Sequence, residues 1–206
     1  MNMVSELNFV PIIANVAIFF TIISFLSGLE ICVNVWKKRS TNDISCVPLL
    51  AGFISTTLWL RYSLYVNDIF MMVCNVVGAT CFTSYVMGLN RKLCFAITTL
   101  VTVVFITKKS ENPSYYSGLC ASLFGVLFTL SPLASIVDVF KNRSTAKLPF
   151  YIILSSFVVT LLWFIYGMLI NDTFVKVPNA LSSVISGCQL LLFLIFPNTS
   201  MKKGKN

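Results

Sequence analysis

Hydrophobic residues come in blocks of about 20, the length a helix needs at 1.5 Å per residue to cross roughly 30 Å of hydrocarbon. The pattern predicts seven helical spans: Phe9 to Trp36, Ser45 to Val66, Phe70 to Leu89, Leu93 to Thr107, Tyr115 to Phe140, Leu148 to Ile170 and Phe174 to Phe196. The first has no cationic leader and no small-residue cleavage site, and it is too long for a signal-peptide core, so it reads as a mature span. The fourth is short, but Arg91, Lys92, Lys108 and Lys109 at its flanks can snorkel to the interfaces.

Composition agrees with a membrane solvent: of 206 residues, 57% are hydrophobic and 11% charged, against roughly 25% charged in a soluble domain. The net charge of +8 raises nucleic acid as a partner, and the placement of the charges argues against it. Lys37, Lys38, Arg39, Arg91, Lys92, Lys141, Arg143, Lys147, Lys202, Lys203 and Lys205 fall on one side of the predicted membrane. Lys108, Lys109 and Lys176 fall on the other, with Arg61 inside a span. Cytoplasmic loops carry the excess of Lys and Arg, so the C-terminus is expected in the cytoplasm and the N-terminus outside. Cys32, Cys46, Cys74, Cys81, Cys94, Cys120 and Cys188 lie mostly in apolar spans, lack metal-ligand spacing and have no histidine beside them anywhere. They read as small packing residues, and neither a metal nor a cofactor is expected.

The most informative feature is an internal duplication. Residues 27 to 78 align with 131 to 182 at a constant offset of 104, without a gap and with 19 identities in 52 positions. Many of the shared residues are polar or aromatic: Lys37 and Lys141, Arg39-Ser40-Thr41 and Arg143-Ser144-Thr145, Trp59 and Trp163, Tyr62 and Tyr166, Asn67-Asp68 and Asn171-Asp172, Asn75 and Asn179. Solubility in lipid does not select these. The offset carries span one onto five, two onto six and three onto seven. The unit is therefore three helices, 9–89 and again 115–197, joined by a linker helix within 90–114 and followed by a tail at 198–206. One extra span restores the orientation of the second copy, so two parallel triple-helix bundles are expected, a recurrent transporter design with its site where the repeats meet.

Asn75 and Asn179 sit a few residues inside their spans, where a carboxamide facing lipid is costly, so both are expected to point inward. An amide offers donors and an acceptor at once, which suits a polyhydroxylated ligand. Trp59 and Trp163 add flat apolar faces for sugar C–H surfaces, and no charge is duplicated inside the spans, which points to a neutral solute. The bland alternative makes the asparagines helix glue and the tryptophans interfacial anchors. Pro48, Pro132, Pro149 and Pro178 lie in or at the starts of spans and loosen the helix locally, as hinges or as plain kinks. Gly28 stands where Pro132 stands in the second copy. Tyr62, Asp68, Tyr166 and Asp172 fall near outer helix ends, as an external gate or as an interfacial belt. Glu30 and Asp138 do not align with one another; each is either a proton relay or the partner of a nearby basic loop.

Three helices, a linker helix and three more, carrying Ser131-Pro132-Leu133, the basic loop with Lys141, Arg143, Ser144 and Thr145, Leu148-Pro149-Phe150, Trp163-Phe164-Ile165-Tyr166-Gly167 and Pro178-Asn179 in that order, resemble the SWEET family of sugar transporters. That family, related to bacterial three-helix semiSWEETs, is a known case of parallel repeats. The resemblance implies an all-α membrane protein of seven transmembrane helices arranged 3+1+3, working as a passive bidirectional uniporter for a hexose or a disaccharide by alternating access. It implies that Asn75 and Asn179 contact the sugar, with Trp59, Trp163 and Thr57 around the pocket, and that Pro48, Pro132 and Pro149 are hinges, Gly28 departing from the fourth hinge proline. Whether the chain assembles as a homo-oligomer stays open; the plasma membrane is the expected location, with the Golgi or an endosome as alternatives. The residues alone also accommodate a transporter of another metabolite, such as an amino acid carrier of the Pro-Gln-loop group, or a seven-span receptor or partner protein without transport. No Pro-Gln dipeptide occurs, and the duplication and short loops disfavour a receptor. With no histidine, metal-ligand cluster or phosphate-cradling glycine loop, an enzyme is not expected.

Overall fold

The computed structural model describes residues 3–38, 47–89, 111–146 and 148–196. These are all-α: α1 (Met3–Lys38), α2 (Val47–Val66), α3 (Ile69–Leu89), α4 (Pro113–Asn142), α5 (Phe150–Leu169) and α6 (Thr173–Ile195). Six of the expected spans appear with nearly the expected ends, α1 starting a turn and a half earlier than Phe9. The fourth span, Leu93 to Thr107, the loop at 39–46 and the tail at 198–206 lie outside the described residues.

The helices expose large apolar side chains and bury polar ones alongside an apolar core. Phe9, Ile12, Phe19, Tyr151, Ile152, Val184, Leu194 and Ile195 are all more than half exposed, whereas Thr21, Thr56, Thr57, Ser63, Ser117, Ser122, Ser183, Ser186 and Gln189 are buried. Lipid is as apolar as leucine, so hydrocarbon side chains gain nothing by hiding and polar ones must find partners inside. Many hydroxyls find one locally, donating to a carbonyl one turn back. Thr21 donates to Ala17 (2.7 Å), Thr56 to Gly52 (2.9 Å), Thr57 to Phe53 (2.8 Å) and Ser183 to Asn179 (2.8 Å). Among the described residues Phe9–Leu26, Phe150–Leu169 and Thr173–Ile195 are long and apolar enough to cross a bilayer by composition alone, and Ile69–Tyr85 forms a shorter apolar stretch.

The described chain divides into two compact units, residues 1–124 and 125–206, the division falling inside α4. In the first, α3 packs on both α1 and α2; in the second, α5 packs on α6. The C-terminal part of α4 joins α6 through Gln189 Nε2, which donates to Ser135 Oγ at 2.9 Å, and through the Phe140–Phe196 ring pair.

The turns α2–α3 and α5–α6 are built alike, from the duplicated Asn-Asp. Asn67 and Asn171 take left-handed φ values of 55° and 53°, a conformation asparagine tolerates better than most residues. The following aspartate N–H then reaches back to the helix just ended, Asp68 to the Ser63 carbonyl (3.0 Å) and Asp172 to Gly167 (2.9 Å), the long bond of a Schellman stop. The same aspartates start the next helix. Asp68 Oδ1 accepts from Met71 N (3.0 Å), and Asp172 Oδ1 accepts from Phe174 N (2.9 Å) and Val175 N (3.3 Å), which satisfies donors that a helix N-terminus leaves open. Two residues therefore reverse the chain within about a turn, and each places an asparagine on the second turn of the helix that follows.

Candidate substrate-binding site

Asn75 on α3 and Asn179 on α6 are both half-buried and hold the same conformation. Asn75 Nδ2 donates to the Met71 carbonyl at 2.8 Å and Asn179 Nδ2 donates to the Val175 carbonyl at 2.8 Å. Only the NH2 end of an amide can donate to a carbonyl, so this bond also fixes which end of each group is the oxygen. One N–H is spent on holding the side chain against its own helix. Oδ1 and the second N–H of each amide remain to accept from and donate to a ligand, the pairing that a hydroxyl requires.

One helix away the aromatic pair is duplicated too. Trp59 meets Tyr62 edge-on with centroids 6.0 Å apart on α2, and Trp163 meets Tyr166 at 5.4 Å on α5. Positions three apart share a helix face, so the pairs follow from their spacing. Tyr62, Trp163 and Tyr166 are buried, and Trp59 is half-buried. Such rings are rigid walls, each pinned by its neighbour. Thr57 is buried beside them in sequence, its hydroxyl committed to the Phe53 carbonyl; its counterpart is Leu161, so this position is not duplicated.

The expected gate and hinge residues divide by what the structure shows of them. Asp68 and Asp172 cap α3 and α6, as above, and Tyr62 and Tyr166 are buried against their tryptophans. Pro149 is the residue before α5, in extended conformation with φ −79° and ψ 91°, and Pro48 is the second residue of α2. A proline in a first turn forfeits no helical bond, so these two start helices without kinking them. Gly28 lies within α1 and Pro132 within α4. Pro178 is inside α6 and buried. Glu30 lies on α1, and Asp138 is exposed on α4.

The sequence reading missed the capping role of the two aspartates, although the Asn-Asp pair between two apolar spans is itself the signal for a left-handed stop followed by an N-cap. Upstream of residue 27 the same offset relates two further contacts. The Cys74 thiol hydrogen-bonds the Thr21 side chain, and at the equivalent place a Cβ on Gly125 would lie 3.3 Å from Pro178 Cβ. Thr21 and Gly125 are again 104 residues apart, as are Cys74 and Pro178.

The chain matches the family described as "sugar efflux transporter for intercellular exchange" over residues 11–89 and 115–201, both copies of the repeat. It belongs to the SWEET family. The chain is 31% identical to "Sugar transporter SWEET1" of Drosophila pseudoobscura pseudoobscura over 204 residues, covering 92% of this chain and 90% of the fly protein. It is 32% identical to "Sugar transporter SWEET1" of Caenorhabditis elegans over 91% of this chain and 66% of the nematode protein. Against "Bidirectional sugar transporter SWEET11" of Arabidopsis thaliana identity is 26%, over 84% of this chain and 65% of the plant protein. The fold is similar to that of a solved eukaryotic SWEET transporter, with a TM-score of 0.76 at 23% identity, covering 90% of this chain and 97% of the other. This SWEET-family chain is thus an all-α integral membrane protein of a non-enzymatic transporter family, and its fold class is the seven-helix membrane fold.

Proposed function

We propose that this SWEET-family chain is a passive, bidirectional sugar carrier for a hexose or a disaccharide, working by alternating access. Asn75 and Asn179 contact the sugar hydroxyls, Trp59 and Trp163 supply apolar walls, and Thr57 adds a small polar contact. The observation that carries this reading is the duplicated amide: two asparagines 104 residues apart, each with one N–H tied back to its helix at 2.8 Å and its oxygen left to accept. Relatives that cover nearly the whole chain are named sugar transporters, which supports the same substrate class. The two copies act as two bundles, 9–89 and 115–197, that rock about Gly28, Pro48, Pro132 and Pro149, with Tyr62, Asp68, Tyr166 and Asp172 closing the outer side. The C-terminus is cytoplasmic, and the plasma membrane is the working location.

Purified protein in liposomes should equilibrate radiolabelled glucose or sucrose with no ion gradient. Asn75→Ala and Asn179→Ala should each cut uptake by about fivefold to 150-fold, because a ligand hydroxyl left unpaired in a dry site costs about 1–3 kcal/mol. Uptake that needs a pH gradient would replace the passive mechanism with a proton-coupled one centred on Glu30 or Asp138. Failure of both sugars to enter would remove the sugar assignment.

A further inference from the structure

The two asparagines share a side-chain geometry, but the helices that carry them do not share a backbone. In α6 the residue immediately before Asn179 is Pro178, buried in the second unit. Proline has no N–H, so the helix lacks its bond from residue 178 to the Phe174 carbonyl, on the turn that presents the asparagine. In α3 the corresponding residue is Cys74, whose N–H is intact.

A second difference compensates for the first. Ser183, 7% exposed, lies one turn beyond Asn179, and its Oγ reaches the Asn179 carbonyl at 2.8 Å and Thr160 Oγ1 on α5 at 3.1 Å. Its single hydrogen is shared between these two acceptors. Thr160 Oγ1 in turn donates to the Ser156 carbonyl at 2.8 Å, with the Phe157 carbonyl at 3.3 Å, which leaves its lone pairs to receive Ser183. The connection runs from the α5 backbone through two hydroxyls to the backbone of Asn179. Back-bonding by serine is common in these helices; Ser183 combines it with a partner on the neighbouring helix. At the equivalent place in the first unit Thr56 is retained, but Ala79 stands for Ser183, so the tie cannot form there. The copy with the interrupted helix has the hydroxyl tie, and the copy with the intact helix lacks the serine that makes it.

We propose that Thr160 and Ser183 form a brace that replaces the backbone bond lost at Pro178 and holds the turn presenting Asn179, making them positioning residues for the second sugar-contacting amide. The brace itself is independent of the ligand; its effect on sugar binding rests on the sugar-carrier reading above.

The test uses the full chain in lipid nanodiscs. Amide hydrogen exchange across α6 is compared for wild type, Ser183→Ala, Thr160→Val, Thr160→Ser, Pro178→Ala and the Ser183→Ala/Pro178→Ala double variant, without sugar. Ser183→Ala and Thr160→Val should each speed exchange around Asn179 about threefold, the effect of one interhelical hydrogen bond in a membrane. Thr160→Ser, which keeps the hydroxyl, should behave as wild type, and Pro178→Ala, which restores the N–H, should abolish the effect of Ser183→Ala. In liposomes the same single variants should raise KM for glucose or sucrose by a similar factor with Vmax unchanged, and Pro178→Ala should suppress that rise. Unchanged exchange in Ser183→Ala, or no suppression by Pro178→Ala, overturns the brace. Faster exchange without any rise in KM overturns the positioning role. If wild type carries neither sugar, the sugar reading falls, and exchange at Asn179 still decides whether the brace holds that turn.

Discussion

The pairs α2–α3 and α5–α6 descend from one duplicated sequence and use the same turn, yet at one pair of matched positions they close their interfaces with different chemistry. In α2–α3 the contact is carbon on carbon. A Cβ on Gly52 would run into the Phe82 ring, and one on Gly78 would lie 2.6 Å from Thr56 Cγ2 and 2.7 Å from the Phe25 ring. Phe82 is itself held edge-on by Phe25 (5.4 Å) and Tyr85 (6.0 Å), and Tyr85 OH donates to the Phe25 carbonyl at 3.1 Å. In α5–α6 the residues equivalent to Gly52 and Phe82 are Ser156 and Ser186, whose hydroxyls meet at 3.4 Å, and the position of Tyr85 is taken by Gln189. Glycine fitted to phenylalanine and serine facing serine are two solutions to one packing problem. Both keep the helices close in a solvent that gives no hydrophobic drive for association, the first by dispersion and the second by hydrogen bonds. The duplicated polar residues are thus preserved on scaffolds that have since diverged.

Exchanging residues between copies should expose that divergence, and the largest effect is expected at Gly167. Its counterpart Ser63 is a fully buried serine that the first unit accommodates. At Gly167 a Cβ would lie 2.9 Å from Lys176 N and 3.1 Å from its Cα. These are backbone atoms, and Lys176 N is already committed to the Asp172 carbonyl at 2.9 Å, so they cannot withdraw without opening the first turn of α6. Gly167→Ser should cost about 3 kcal/mol, the upper end for overpacking, read as a fall in the thermal unfolding midpoint in detergent. Ser63→Gly should cost about 1–2 kcal/mol, the backbone-entropy term together with the lost hydroxyl bond to the Leu60 carbonyl. Equal losses at both positions would mean that the two turns are as tightly packed as each other.

A smaller effect is expected at Gly52. Because Phe82 is clamped by two aromatic neighbours, its ring has little room to yield, and Gly52→Ala should cost about 1–2 kcal/mol. Combining it with Phe82→Leu should cost less than the sum of the two single changes, since contacting residues are not additive. At the matching site Ser156→Ala removes one long hydrogen bond and should cost about 0.6 kcal/mol. Thermal midpoints of the four variants check this, and strict additivity at Gly52 and Phe82 would refute the fitted pair.

How far these features were legible beforehand depends on which physical signal encodes them. Span positions were readable because a bilayer demands a length of apolar chain, and the ends of α2, α3, α5 and α6 fall within a few residues of expectation. The candidate site was readable as residue identities, since Asn75, Asn179, Trp59 and Trp163 stand out against apolar surroundings at a fixed offset. The conformation of the amides was not, because it depends on a bond to a carbonyl of the same helix. Nor was the glycine-for-serine exchange, because Gly52, Phe82, Ser156 and Ser186 are unremarked residue types until the helices are seen in contact. Pro48 and Pro149 stand apart from the duplicated residues: they differ by 101 rather than 104 positions and sit at helix starts, so their role as hinges comes from the resemblance and not from the repeat.

The smallest expected effect separates two roles for the same carboxylate. Asp172 caps α6 through Phe174 N and Val175 N, and Asp68 caps α3 through Met71 N. Replacing an N-cap by alanine costs about 1 kcal/mol, so Asp172→Ala and Asp68→Ala should each lower the stability read from the unfolding midpoint by about that much. Asparagine caps nearly as well as aspartate, so Asp172→Asn should leave the midpoint within about 0.3 kcal/mol of wild type. That variant removes the charge and keeps the cap. A transport rate that falls with Asp172→Asn while stability holds assigns the charge to the outer gate. Rates that follow stability across Asp172→Ala and Asp172→Asn instead make the residue a helix cap alone, and the second half of the Asn-Asp pair is then duplicated because it turns the chain.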